Sequence, residues 1–243
     1  MNGSTSCDRR LDRPTHDDPF ERTGTTVKTR LRRKRVLRGA GVAMTLGVTA
    51  LLSATLPAEA YNGQGAATYA DAWALGRNGN YPIFTSDCAN FVSQAMHQGG
   101  GFSYIGQNRS STDDTLWWAS WSAASGFRWS HSWSVAQDNF YFLNATYPGG
   151  WQQGTAPGSA SYYWTPDAVV TGDLLYYDWQ SDGSLDHVSM QVGWGTDPTS
   201  GWSGNYVDQH TNDRRHAFWS LRPYNSQWAS TTIHFMHIDS RNR

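Results

Sequence analysis

The spacing of apolar residues changes once along the chain, and this change constrains the fold more than any other feature. In "AATYADAWALG" and "DCANFVSQAMH" the apolar side chains recur at helical spacing. After Pro166 they recur at every second position, which predicts strands in "DLLYYDW", "HVSMQVGW", "NYVDQH" and "TIHFMHI". Helices followed by an antiparallel sheet predict an α+β fold.

Three helices are expected before the strands. The first covers residues 66–76, and the second begins after Ser86 and runs to about His97. A third helix, capped by Ser134, would end a Trp-rich region. Residues 144–158 carry Gly-Gly and Pro-Gly pairs, which are typical of loops.

The segment before the predicted domain has the layout of a secretory signal peptide. A basic block at residues 28–38 precedes an uncharged stretch at residues 39–56, which ends in the pattern Ala58-Glu59-Ala60. We expect cleavage after Ala60 and a secreted protein. The alternative is an uncleaved membrane anchor, because the stretch has about the shortest length that spans a bilayer. Residues 1–60 are therefore treated as a leader and left out of the fold prediction.

The chain after the leader has an acidic composition. Residues 61–243 contain 8 Arg, 14 Asp and no Lys or Glu, a formal charge of −6. Nucleic acid is not an expected partner, because its phosphates require a basic surface. We predict one domain over residues 61–243, a monomer with no membrane contact after cleavage.

Cys88 is the one cysteine left after the predicted cleavage, because Cys7 lies in the leader. Its position in the first turn of a helix stabilises a thiolate, the nucleophilic form of cysteine. A thiolate there, beside the helix amides, suits acyl transfer. The alternative is that Cys88 is a small buried hydrophobic residue.

A thiol nucleophile needs a base, and His187 is the best candidate. It opens a predicted strand, and its row with Ser189 and Gln191 is polar and could line a cleft. The residue that orients the imidazole is sought in "VDQHTND", where Asp208 and His210 share one face of a strand and Gln209 lies on the other. His210 is favoured, followed by the two remaining candidates, Asp208 and Asn212.

The stretch "YADAWALGRNGNYPIFTSDCANFVSQAMHQGG", with "GDLLYYDW", "DHVSMQVG" and "DQHTND" downstream, resembles the bacterial putative amidase domain. That family is related to the NlpC-type and CHAP hydrolases of the papain-like fold, and the resemblance covers nearly all of residues 61–243. It implies Cys88 as nucleophile, His187 as base and His210 as the likeliest third residue. It also implies structural roles for Asp87 at the helix start and Asn90 in the first turn.

These features predict a cysteine amidase or peptidase that needs no cofactor and no metal. Its substrate would be a peptide or a small amide, including the peptides of peptidoglycan. One rival is a zinc hydrolase with His187, His210 and Asp208 as ligands. The other is a non-catalytic module that binds cell wall or glycan through its tryptophans. The tryptophans concerned are Trp117, Trp118, Trp121, Trp129 and Trp133.

Overall fold

The computed structural model describes residues 60–146, 149–165 and 169–239. These residues belong to one compact unit. The helices are α1 (Gly63–Trp73), α2 (Cys88–Gln94), α3 (His131–Ser134) and α4 (Ala136–Tyr141). The strands are β1 (Ala119–Ser122), β2 (Gly126–Trp129), β3 (Gly150–Pro157), β4 (Leu174–Asp178), β5 (His187–Thr196), β6 (Ser203–Gln209), β7 (Arg214–Phe218) and β8 (Thr232–Ile238).

The sheet confirms the predicted α+β class. Six strands form one antiparallel sheet in the order β3-β8-β4-β5-β6-β7. The four strands expected from the alternating pattern are β4, β5, β6 and β8. Neighbouring β4 and β5 form the expected hairpin, and its turn includes Gly183 at φ 87°, a left-handed conformation that glycine adopts without a steric cost.

The predicted loop at residues 144–158 is wrong over most of its length, because β3 occupies residues 150–157. This strand lies at the edge of the sheet and pairs only with β8. Its polar and glycine-rich sequence does not indicate a strand. An edge strand is bonded on one side only and tolerates a bulge, here between Gln152 and Gly154. The β1–β2 hairpin in the Trp-rich region also has no alternating apolar pattern.

The boundaries of the helices differ from the predicted ones at both the first and the third predicted helix. Helix α1 begins at Gly63, where the side chain of Asn62 accepts a hydrogen bond from the amide of Gly65 at 2.9 Å. Helix α2 is followed by a π-helical turn over residues 95–99. The predicted third helix corresponds to α4, but its N-cap is Val135 rather than Ser134, and Ser134 is instead the last residue of the short helix α3.

Apolar residues fill both faces of the sheet. One cluster joins α1, α2 and α4 to side chains such as Val188 and Met190 of β5. The other lies on the opposite face and includes Tyr177, Trp179 and Trp219. Each strand of the centre therefore contributes alternate residues to two separate cores, which is why β4 is buried at every position.

Most of the Trp-rich region is core rather than binding surface. Trp117, Trp118 and Trp133 have no exposed surface, so they are not available to stack on a sugar. Trp121 is 62% exposed and borders a groove on the β1–β2 hairpin. Of the five tryptophans named above, Trp121 alone therefore presents a large exposed ring.

Within the described residues, no helix combines the length and the apolar character that crossing a bilayer requires. The predicted signal peptide and its cleavage site at Ala60 depend on residues outside the described ranges.

Candidate active site

Cys88 is the first residue of α2 and has no exposed surface. The first backbone hydrogen bond of the helix runs from the amide of Phe91 to the carbonyl of Asp87 at 2.9 Å. The helix packs against β5, which begins at His187. The partial positive charge at a helix start favours a thiolate over a thiol.

In the full chain, Cys88 is disulfide-bonded. The expectation that it stands alone applies to the chain after removal of residues 1–60, and Cys7 lies outside the described residues. A disulfide sulfur is not a nucleophile for an amide carbonyl. Any nucleophilic role of Cys88 therefore requires the reduced form of the protein.

The imidazole of His187 is buried and held by Gln209. Its Nε2 lies 3.0 Å from Oε1 of Gln209, whose own amide nitrogen donates to the carbonyl of Asn212 at 3.1 Å. Because the Gln209 oxygen only accepts, Nε2 of His187 carries the proton and Nδ1 keeps its lone pair. The ring is thus held in the tautomer that a general base at Nδ1 requires.

Burial also keeps this imidazole neutral. It lowers the pKa of His187 to about 4, and the hydrogen bond with Gln209 raises the pKa by a smaller amount. At neutral pH the ring is therefore unprotonated at Nδ1 and able to accept a proton.

Two aromatic rings restrain His187 from the side. The indole of Trp179 stacks on the imidazole with 5.6 Å between ring centroids, and the ring of Tyr177 lies at 5.5 Å. The amide of Trp179 donates to Asp186 at 2.9 Å, which closes the hairpin next to the imidazole. These contacts fix the orientation of the ring.

The polar row that was expected to line a cleft is instead buried. Ser189 exchanges a hydrogen bond with the hydroxyl of Tyr177 at 2.8 Å, and Gln191 accepts one from Thr165 at 2.9 Å. The row lies on the sheet face opposite α2. His187, as the first residue of the strand, lies at the end of this row.

His210, the favoured orienting residue, does not contact His187 in this structure. Its Nδ1 lies 2.6 Å from Oδ2 of Asp87, and its Nε2 lies 2.8 Å from the carbonyl of Trp73. The ring stacks on Phe91 with 4.0 Å between centroids. One ring nitrogen thus contacts the start of α2 and the other contacts the end of α1.

The sheet register explains why Gln209 takes the place expected for His210. Met190 pairs with Asp208, so Gln209 lies opposite Ser189 and shares the face of His187. The sequence analysis placed Gln209 on the other face correctly but assigned that face the lesser role. Only the register shows which face of β6 meets the imidazole.

Asp87 connects the start of α2 to the end of β6. One carboxylate oxygen contacts Nε of Arg77 at 3.0 Å as well as His210, and the other accepts from Asn90 at 2.7 Å. The amide of Asp87 donates to Oγ1 of Thr211 at 2.7 Å. The Asp87 side chain makes no capping bond to α2; it links segments distant in sequence.

Asn90 serves the same junction. Its amide nitrogen also donates to the carbonyl of Pro82 at 2.9 Å, and its oxygen accepts from the indole of Trp133 at 2.6 Å. The residues next to Cys88 and those next to Gln209 are therefore joined by a continuous hydrogen-bond network. This network brings the start of α2 and the start of β5 to the same end of the sheet.

Asp208 and Asn212 lie apart from His187. Asn212 contributes its backbone carbonyl, as described for Gln209, and adopts a left-handed conformation at φ 66°. Asp208 faces α1, where burial, followed by the charge of Asp71, raises its pKa to about 8. The zinc ligands suggested by the sequence, His187, His210 and Asp208, thus have separate hydrogen-bonding environments.

Gln209, Trp179 and Arg77 contact the candidate site residues but were not predicted to do so from the sequence. Trp179 follows β4 directly, so its place beside His187 depends on the hairpin. Arg77 lies after α1 and reaches Asp87 only in the folded chain. The one usable signal was the alternation in "VDQH", which separates Gln209 from its neighbours.

A protein of Bacillus subtilis is similar in sequence to this chain. The chain is 29% identical over 180 residues to "Uncharacterized protein YhbB" of Bacillus subtilis (strain 168). The match covers 73% of this chain and 50% of that relative, so the chain spans about half of the relative's length. No solved structure matches.

The sequence model of the putative amidase domain matches residues 60–236, which include Cys88, His187 and Gln209. The family description indicates a hydrolase that acts on amide bonds. A match over most of the described chain means that this protein belongs to the putative amidase domain family.

Proposed function

We propose that the protein is a secreted cysteine amidase in which Cys88 is the nucleophile, His187 the base and Gln209 the residue that orients His187. The observation that carries this proposal is the hydrogen bond between Nε2 of His187 and Oε1 of Gln209. It leaves Nδ1 as the proton acceptor in a neutral, rigidly held ring. Cys88 lies at the start of a helix that packs on β5, the strand that begins at His187, although the imidazole itself lies on the sheet face opposite that helix.

The reaction would proceed through an acyl-enzyme. The Cys88 thiol transfers its proton to Nδ1 of His187, and the sulfur attacks the amide carbonyl. The backbone amide of Cys88 would donate to the oxyanion. His187 then gives its proton to the departing amine nitrogen, and the C–N bond breaks. Finally, His187 takes a proton from water, whose oxygen attacks the thioester and releases the carboxylic acid.

We also propose that the core is papain-like. A helix that starts at the cysteine and packs on an antiparallel sheet, with the histidine at the first position of a strand, supports this assignment. Gln209 on the neighbouring strand would be the polar third residue. In this protein, as in papain-like hydrolases, the helix carries the cysteine, the first strand carries the histidine and the next strand carries the polar third residue.

We propose peptides of the bacterial cell wall as the substrate. The predicted signal peptide and the acidic, lysine-free chain that follows it support an extracellular amidase. Gly99 and Gly100, at the end of the π-helical turn that follows α2, pack against α1 and Tyr61. That end of the helix is therefore closed, and substrate would approach the end that bears Cys88.

The test is digestion of purified peptidoglycan by the full chain kept reduced. We expect fragments that each gain one water, identified by mass spectrometry, and their loss after treatment with iodoacetamide. Fragment release that is unaffected by iodoacetamide and abolished by a chelator would support a zinc hydrolase instead. Unchanged peptidoglycan, with a small-amide substrate still cleaved, would rule out the wall but retain the amidase.

The roles of Gln209 and His210 are separable by mutation. We expect Gln209→Ala to lower kcat by about 100-fold, because the base loses its orientation. Gln209→Glu retains an acceptor for Nε2 and should recover part of the activity. Its negative charge should also shift the acid limb of the pH–rate profile to higher pH, because a nearby carboxylate stabilises the imidazolium.

His210→Gln is the comparison variant. Its main expected effect is on the thermal stability of the network around Asp87, with a smaller change in kcat for the folded fraction. If His210→Gln lowers kcat as much as expected for Gln209→Ala, and Gln209→Ala does not, His210 is the orienting residue and our assignment is wrong.

A further inference from the structure

Three potential metal ligands converge at a point separate from Cys88 and His187. Asp71 of α1, Asp208 of β6 and His216 of β7 each offer one ligand atom, and these atoms lie within 4.8 Å of one another. The Nε2 atom of His216 is 2.6 Å from Oδ1 of Asp71. No other group of this kind is found among residues 60–146, 149–165 and 169–239.

Asp208 supplies an independent sign that something is bound there. Its side chain has no exposed surface, and its Oδ1 accepts a hydrogen bond from the amide of His216 at 2.6 Å. Its Oδ2 is buried with no N–H or hydroxyl donor in the described part of the chain, and the carboxyl group of Asp71 is its polar neighbour. A buried carboxylate oxygen without a donor or a cation is costly, so such an oxygen marks a place for a ligand.

The surroundings hold the three side chains in place. The ring of Tyr206 stacks on His216 with 4.2 Å between centroids. Nε of Arg215 donates to Oδ1 of Asp71 at 3.2 Å, which neutralises one of the two carboxylates. In their ionised form the two carboxylates supply the negative charge that a divalent cation requires.

We infer that Asp71, Asp208 and His216 form a binding site for a divalent transition-metal cation such as Zn²⁺. Two carboxylate oxygens and one imidazole nitrogen are a ligand set that zinc accepts, with further positions open to water. The ligand atoms would be Oδ2 of Asp208, a carboxylate oxygen of Asp71 and Nε2 of His216. Binding would release the Nε2 proton that His216 now shares with Asp71.

The cation would be structural rather than catalytic. Asp208 directly precedes Gln209 in β6, and their side chains lie on opposite faces of the sheet. A cation there would join α1 to the end of the strand that carries Gln209. The expected consequence is a stiffer strand end, independent of the identity of the amide substrate.

The experiment is a Zn²⁺ titration of the untagged full chain, stripped of metal and kept reduced with a phosphine. Isothermal titration calorimetry should show one site, and saturation should raise Tm, because a ligand that binds only the folded state stabilises it. Asp208→Asn and His216→Gln should each weaken binding by about 100-fold or more. Asp114→Asn, a change of an exposed carboxylate outside the cluster, should leave binding unchanged.

Cysteine thiols also bind zinc, so the titration is repeated with Cys88→Ala. X-ray absorption at the zinc edge should show nitrogen and oxygen ligands, including imidazole, and no sulfur. This measurement on the wild type keeps the test decisive if a cluster variant fails to fold. Lack of saturable binding, sulfur ligation, or binding unaffected by both cluster variants would overturn the inference.

Discussion

Replacing Cys88 with alanine is expected to lower kcat by about 10⁴-fold or more on any amide that the reduced wild-type protein hydrolyses. The expected loss is large because, in the proposed mechanism, the acyl-enzyme forms on this sulfur. Removing the nucleophile of a comparable acyl-transfer enzyme has an effect of this order. The measurement is single-turnover or steady-state hydrolysis, followed by mass spectrometry of the products.

The control for this variant is a measurement of its folding stability. Cys88 is buried in the helix-side core, so alanine leaves a small cavity and costs about 1 kcal/mol. Stability must be compared with the reduced wild type, because the variant also lacks the disulfide at this position. A folded Cys88→Ala protein that retains wild-type kcat would refute the thiol mechanism.

Replacing Asp87 with asparagine is expected to lower the free energy of unfolding by about 3–5 kcal/mol, the usual cost of removing one partner from a buried ion pair. The carboxylate has no exposed surface and contacts Arg77 at 3.0 Å and His210 at 2.6 Å. Asparagine has the same shape but no charge, so Arg77 loses its buried counter-ion and Nδ1 of His210 loses its carboxylate partner. For a domain of this size the loss corresponds to a decrease in Tm of roughly 10 °C.

Asp213→Asn provides a matched control on the same arginine. Asp213 contacts NH1 of Arg77 at 2.8 Å but is 33% exposed, so the expected loss is below about 1 kcal/mol. Equilibrium urea unfolding of both variants gives the comparison. Equal losses in the two variants would mean that Asp87 is not the buried link between α2 and β6.

The sequence was sufficient for features that depend on local pattern. The helix start at Cys88 and strands β4, β5, β6 and β8 follow from the periods of 3.6 and 2. Strand β3 could not be predicted, because its pairing with β8 at the sheet edge compensates for a sequence without apolar alternation. Local pattern says little about an element that is stabilised mainly by its partner.

The residues of the candidate site also differ in how far local sequence pattern predicts them. The sequence proposes Cys88 and His187 as site residues from a lone cysteine, a helix start and a strand start. Gln209 is not, because its contact with His187 depends on the pairing of Met190 with Asp208. A shift of one residue in that register would have placed His210 beside the imidazole instead. Register is a property of the assembled sheet and is not encoded in "VDQH" alone.

The burial of α2 on every side has a consequence for engineering substrate preference. All seven residues of the helix are buried, so none of its sides is available to line a groove. In the proposed mechanism a substrate would reach this helix at Cys88, so selectivity would come from the segments around the start of α2. Residues 78–86 lead into Cys88 and include Ile83, which is 63% exposed. Substitutions at its exposed positions Asn80, Ile83 and Thr85 should change the amide preference of the proposed enzyme without disturbing the buried Tyr81 and Ser86.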